Sequence, residues 1–165
     1  MKYIRLTNSN RTIMVDDEFY PLLSCYNWQL HAKRYAFSSI DGHTIYMHRM
    51  ILNTSLPHID HVDGNGLNNQ LSNLRGCTAS QNQANTLTKR VKNSKSKYKG
   101  VTYSQRYILN WGAVITKDGK FYNIGRFKTE LAAARAWDKK AKELYGEFTR
   151  LNFPKVTSID IKKEA

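Results

Sequence analysis

No stretch of the 165 residues approaches the run of about 18 apolar residues that a membrane-spanning helix needs, so a membrane span is excluded at the level of sequence. The segment from Met1 to Leu6 lacks the apolar core of a secretory signal, and none is expected. Cysteine is scarce. Cys25 and Cys77 are too few for a disulfide framework and form no C-x-x-C pair, so a structural zinc site built on cysteine is not expected. A reducing, intracellular setting follows as the default. Internal repeats and long low-complexity segments are also lacking. Negative charge is short: 13 Asp and Glu stand against 26 Lys and Arg, a net of +13. That excess points to a polyanionic partner, most simply nucleic acid. Apolar residues make up 41% of the chain, enough for folded cores and too many for wholesale disorder. The length suits one or two small domains.

The charge is unevenly divided. Residues 1–90 carry 9 Lys and Arg against 6 Asp and Glu, a net of +3, whereas residues 91–165 carry 17 against 7, a net of +10. The shift falls in the polar, basic stretch from Lys89 to Lys97, which reads as a linker, either a plain solvated loop or a tether that follows a phosphate backbone.

The first half opens with short strand-like runs. Lys2–Leu6 and Thr12–Val15 flank a polar Asn8-Ser9-Asn10 turn, and Arg34–Ser38 and Thr44–His48 surround Asp41-Gly42, so two hairpins are expected. Asp16–Leu23 reads as a short helix with an acidic first turn. In the second half, strands are expected at Gly100–Ser104, Trp111–Thr116 and Lys120–Gly125, with Lys117-Asp118-Gly119 turning between the last two. Leu131, Ala134, Trp137, Ala141 and Leu144 recur at helical spacing behind Thr129, a good N-cap, and Gly146 closes the helix. The fold class is therefore α+β, with a leading set of short strands and, at the end, a three-stranded antiparallel sheet packed on one helix.

The segment from His58 to Asn85 is the informative one. Most of its Asn, Asp and Gly residues suit turns and caps. Asp60-His61 differs, because the pair ends an apolar run. Adjacent strand residues point to opposite faces, so a carboxylate and an imidazole placed this way can address different sides of one phosphorus atom. Asn73 follows His61 by twelve positions and Asn82 follows nine later. Together with Asn73-Leu74-Arg75, the string Ser80-Gln81-Asn82-Gln83-Ala84-Asn85 and the earlier His48-Arg49, this set resembles the HNH endonucleases, with phage and intron-encoded homing enzymes as the nearest relatives.

The resemblance implies a ββα-metal fold with Asp60 and His61 on the first strand, Asn73 near the second, and Asn82 in the first turn of a helix capped near Ser80. It further implies His61 as general base, Asp60 and Asn82 as ligands of one divalent cation, most simply Mg²⁺, and Asn73 as the residue that holds the His61 loop or ring. An imidazole titrating near neutrality suits water activation, and hard oxygen donors suit such a cation. Asp63 beside Gly64 reads as a turn residue rather than a second metal ligand. His48 and Arg49, at the end of a predicted strand, are either a structural pair or contacts to a phosphate near the cut. Cys77 reads as core.

The second half carries its own resemblance. Tyr98-Lys99-Gly100-Val101, Ile124-Gly125-Arg126-Phe127, the alanine-rich run Ala132–Ala141 and Leu151-Asn152-Phe153-Pro154 resemble the Apetala-type, ethylene-response-factor DNA-binding domain. That family lays its sheet in the DNA major groove. Thr102, Ser104, Thr116 and Asn123 stand where its plant members carry Arg or Trp, so the plant target sequence does not carry over. Candidate DNA contacts are Lys97, Lys99, Arg106, Trp111, Lys117, Lys120 and Tyr122, with Trp111 leaning towards core and the Leu131–Trp137 stripe expected to pack behind the sheet.

The expected layout is a nuclease domain over residues 1–90 with its ββα core at about 46–88, a linker at 91–97, an Apetala-type domain at 98–154 and a frayed tail at 155–165. The expected activity is metal-dependent hydrolysis of double-stranded DNA, probed against two alternatives: a non-catalytic regulator on a decayed nuclease scaffold, and an RNA-binding protein. The expected setting is the cytoplasm of a bacterial or phage-infected cell, without a membrane partner, and monomer and homodimer stay open.

Overall fold

A computed structural model describes residues 1–86 and 94–154. Most of the Lys89–Lys97 stretch and the tail at 155–165 lie outside the described residues. The chain divides into two compact units, Met1–Asn85 and the remainder.

The first unit begins with the hairpin of β1 (Lys2–Arg5) and β2 (Thr12–Val15), paired antiparallel with Ile4 opposite Ile13. Ile4, Ile13 and Val15 turn inward, as alternation requires. The expected helix at 16–23 is shorter than its sequence suggests. Only α1 (Tyr20–Leu23) forms, with Pro21 in its first turn and no acidic residue there. Asp16 is spent elsewhere: its two oxygens accept from Gln70 Nε2 at 3.1 Å and from the Leu71 backbone N–H at 2.7 Å. Local capping thus lost to a tertiary contact.

Next comes a three-stranded antiparallel sheet, β3 (Gln29–His31), β4 (Tyr35–Ile40) and β5 (His43–Tyr46), with the Asp41-Gly42 turn at left-handed φ. The strand expected through His48 stops at Tyr46, and α2 (Met47–Leu52) follows. Met47 and Ile51, one turn apart, give that helix its buried face, so His48 and Arg49 are helical residues. Then β6 (His58–His61) pairs antiparallel with β7 (Leu74–Cys77), and α3 (Ala79–Ala84) completes a ββα unit. The cap of α3 is Thr78 rather than Ser80: Thr78 and Gln81 form a reciprocal capping box, each side chain accepting from the other's backbone N–H. The core gathers Ile4 from β1, Ile13 from β2, Leu23 from α1, Ala36 from β4, Met47 from α2, Ile59 from β6 and Leu74 from β7 around Trp28. Trp28 is fully buried, and its indole N–H is satisfied by the Leu23 carbonyl at 2.7 Å. Cys77 is buried, as expected of a small apolar side chain.

In the second unit, β8 (Val101–Tyr103), β9 (Trp111–Lys117) and β10 (Lys120–Phe127) form an antiparallel sheet in the order β10-β9-β8, backed by α4 (Glu130–Tyr145). Thr129 caps α4 through the Ala132 N–H at 3.2 Å. Ala133, Ala134, Trp137 and Ala141 form its buried stripe, and the small alanines let the helix lie close on Ala113 and Ile115. Leu131 departs from the expected stripe: it is exposed, because it precedes the first residue that meets the sheet. Gly146 ends the helix at φ 57° and ψ −124°, positive φ but outside the left-handed helical well expected there. Gly100 is required by contact: at φ +70°, an added Cβ would collide with the Trp137 indole.

Candidate active site

Asp60 and His61 end β6, and both are buried. Asp60 lies opposite Arg75 in the strand register. Arg75 Nε and Nη2 both donate to Asp60 Oδ2, at 2.9 and 2.7 Å, and Asn85 Nδ2 donates to Oδ1 at 2.8 Å. A buried carboxylate is tolerable only when paired and hydrogen-bonded, and these three donors meet that condition. Asn85 does more than serve the carboxylate, since its Nδ2 also approaches the His61 carbonyl at 2.8 Å. One amide from the end of α3 therefore clamps both residues of the pair.

The His61 imidazole sits in a ring cluster. It meets Tyr35 at 5.7 Å and His48 edge-on at 5.3 Å between centroids, while His48 stacks on Tyr46 at 5.5 Å. Its Nε2 faces Asn69 Oδ1 at 3.5 Å, and Asn69 is fully buried. Burial pushes the His61 pKa below the ordinary histidine value, opposed by the Asn69 contact and the charges of Asp63 and Asp60. His48 is pushed down to about 4, first by burial and then by His61 and Arg49. Both rings are therefore neutral at pH 7 and carry a lone pair that can accept a proton.

Asn73 organises the loop between β6 and β7. Its Oδ1 accepts from the Asp63 N–H at 3.0 Å, and its Nδ2 donates to Asp63 Oδ1 at 3.0 Å and to the Asn68 carbonyl at 2.8 Å. Asp63 in turn accepts from the Asn65 N–H and from Asn68 Nδ2. The Asn73 carbonyl accepts from the Val62 N–H at 2.9 Å. The far side of the loop is stitched to β2 through the Met14 backbone, which bonds Leu67 and Asn69. Gly66 passes so close to β4 that an added Cβ would collide with the Arg34 carbonyl and the Tyr35 ring. The amino-terminal strands thus position the loop that carries Asn69 beneath His61.

Asn82 lies on α3, half-buried, one turn before Asn85, and residues three apart share a helix face. His48 belongs to the ring cluster. Arg49 is turned inward along its own unit: Nη1 donates to the Leu56 carbonyl at 2.7 Å and Nη2 donates to the Pro57 carbonyl, bracing the entry to β6. The remaining candidates all fall in the second unit. Lys97, Arg106 and Lys120 are exposed, and Lys99 is half-buried. Lys117 Nζ donates to the Leu144 carbonyl at the end of α4. Trp111 and Tyr122 pack against the core cluster beneath α4. Sequence reasoning did not assign roles to Arg75, Asn85, Asn69, Tyr35 or Asp16. Two had a signal: Arg75 stands opposite Asp60 once the hairpin is drawn, and Asn85 repeats Asn82 one helical turn later.

Residues 55–84 match the model of the HNH endonuclease family. An uncharacterized HNH endonuclease of Acanthamoeba polyphaga mimivirus is 34% identical over 140 residues, covering 81% of this chain and 70% of the relative. Protein 3.8 of Escherichia phage T7 is 35% identical over 94 residues, covering 56% of this chain and 74% of that protein. No solved structure matches. A ββα unit carrying a buried Asp-His pair, with these likenesses, defines a nuclease, an enzyme that hydrolyses DNA. The chain belongs to the HNH endonuclease family.

Proposed function

We propose that this nuclease is a divalent-metal-dependent endonuclease of the homing type that cuts double-stranded DNA, with its second unit binding the target. The observation that carries the catalytic part is the buried His61 imidazole next to Asp60 on one strand. An amide oxygen only accepts, so the Asn69 contact favours the tautomer with the proton on Nε2. That leaves the Nδ1 lone pair to take a proton from the attacking water. Asn73 keeps the loop beside His61 in one conformation, and Asn85 fixes the His61 backbone through its carbonyl.

Asp60 and Asn82 are the residues that would hold the cation. Their donors, one carboxylate and one amide oxygen, fit a hard ion such as Mg²⁺. Asp60 retains acceptor capacity, since an ionised carboxylate offers about four lone-pair sites and three donors are recorded here. When bound, the cation would neutralise charge on the phosphate and stabilise the leaving oxygen. Among the described residues no group of three or more His, Cys, Asp or Glu gathers, so the ion would rely on substrate oxygens to complete its shell.

The case for the second unit as the DNA-binding part rests on charge. A net of +10 falls after residue 90, and Lys97, Arg106 and Lys120 stand exposed on a sheet-and-helix module. Trp111 and Tyr122 serve its core, so contact falls to the cations. Cleavage mapping on random-sequence duplexes, with Mg²⁺ titrated and then chelated, tests the whole reading. Cuts at a recurring sequence that vanish on chelation support it; metal-independent cutting or cuts without sequence preference count against the metal and homing parts respectively.

A further inference from the structure

The second unit contains a pocket of about 260 Å³ lined by Thr86, Lys97, Tyr98, Lys99, Arg150, Leu151 and Asn152. Three of the seven lining residues are cationic, and no carboxylate is among them. Lys99 and Arg150 are close enough to feel one another. Burial holds the Lys99 ammonium down to about 8, the Arg150 guanidinium pushes it the same way, and only Asp138 opposes them. Lys99 Nζ donates to the Thr86 carbonyl at 3.0 Å and lies 5.4 Å from the centre of the Trp137 ring.

The walls are built rather than incidental. Asp138, nearly buried, accepts from the Asn152 N–H and Nδ2 through Oδ1, both at 2.9 Å, and from the Phe153 N–H through Oδ2. Asn152 passes the restraint on: its Oδ1 accepts from the Lys99 N–H at 2.7 Å and its Nδ2 donates to the Lys99 carbonyl at 3.2 Å. Tyr98 is held from behind by Phe153, with ring centroids 5.1 Å apart. Asp138 thus spends its oxygens on the frame. Positive charge is concentrated, Lys99 is partly desolvated, and the backbone around it is fixed in advance. An anion suits such a lining, and a guanidinium with two ammonium groups matches phosphate oxygens.

We propose that the pocket formed by Lys97, Lys99 and Arg150 beside Asn152 is a phosphate-binding site. Its ligand is either a phosphodiester of the polynucleotide backbone or a free phosphorylated compound. The proposal deepens the DNA-binding reading of the second unit and rests on it only in the polynucleotide case. Arg150 was not among the contacts expected from sequence. It lies beyond α4, two residues before Asn152, whose bonds to Asp138 and Lys99 hold that segment against residues 97–99.

The test uses the full chain, backbone amide NMR, inorganic phosphate and a short duplex. Phosphate is expected to shift the resonances of residues 97–99 and 150–152, and Arg150→Gln to weaken that binding roughly tenfold, with Arg150→Lys recovering part of it. For a backbone ligand, Arg150→Gln also lowers the slope of log affinity against log salt by about 1. An unchanged duplex slope with weakened phosphate binding keeps the site and assigns it a free phosphorylated ligand. Phosphate that leaves these resonances still, or shifts them equally in wild type and Arg150→Gln, overturns the proposal. Should Arg150→Gln lose its dispersed spectrum, Lys97→Gln at an exposed position replaces it under the same criteria. Arg106→Gln and Lys120→Gln, outside the pocket, test DNA binding by the second unit separately: normal duplex affinity in both counts against that reading and leaves the phosphate result standing.

Discussion

Arg75 and Asp60 face each other across the β6–β7 ladder, and the guanidinium places two N–H groups on one carboxylate oxygen. Asp60 is almost fully buried, so the pair is as much a condition of folding as of chemistry. Arg75→Ala leaves the buried carboxylate with Asn85 as its recorded partner. The expected loss of stability is about 3 kcal/mol, near the lower end for breaking a buried pair because Arg75 itself is partly exposed. Urea unfolding of the variant measures it; a loss below about 1 kcal/mol contradicts the role.

Asn73 makes three side-chain hydrogen bonds, all to the loop that leads away from His61. Asn73→Ala removes them while leaving the β6–β7 ladder in place. Stability is expected to fall by about 1–3 kcal/mol. Cleavage should fall more than DNA affinity does, because the loop positions the ring rather than the duplex. Parallel cleavage and binding assays separate the two effects, and an equal loss in both contradicts the assignment.

His48 makes stability depend on pH. Its folded pKa is about 4, below the ordinary 6.5, because burial disfavours the charged ring. As pH falls below 6.5, the unfolded chain takes up a proton that the folded chain refuses until about pH 4. Stability is therefore fully present above pH 6.5 and declines through that window, by up to about 3 kcal/mol from this group. His48→Phe keeps a ring in the cluster and removes the proton. Its stability should fall less steeply with acid, as read from denaturation midpoints at several pH values. Parallel curves for the two proteins would contradict the buried placement of His48.

The hairpins and the last helix were legible in the sequence because each rests on local information: period-two alternation, Asp-Gly and Asn-rich turns, and Thr129 as a good N-cap; the ββα order was legible only through the resemblance to the HNH endonucleases. What escaped depends on contacts made at a distance. Asp16 reads as a helix-starting carboxylate until Gln70 and Leu71 arrive to claim it. His48 reads as strand because its neighbours are β-formers, yet Met47 and Ile51 need one helical turn to reach the core together. Among so many asparagines, composition does not say that Asn85 turns to Asp60 and the His61 carbonyl, or that Asn69 lies beneath the ring. Leu131 satisfies helical periodicity but falls one turn short of the sheet. In the second unit, Tyr122 offers a ring suited to nucleic acid, and the packing of α4 shows that the core claims it along with Trp111, which already leaned that way in the sequence.

The most direct test of the catalytic reading is cleavage of supercoiled plasmid in Mg²⁺ by wild type and His61→Ala, with folding and duplex affinity measured alongside. Loss of a general base is expected to slow cleavage by at least about 100-fold while affinity stays near wild type. A folded His61→Ala protein that nicks plasmid at the wild-type rate would contradict the account at its centre.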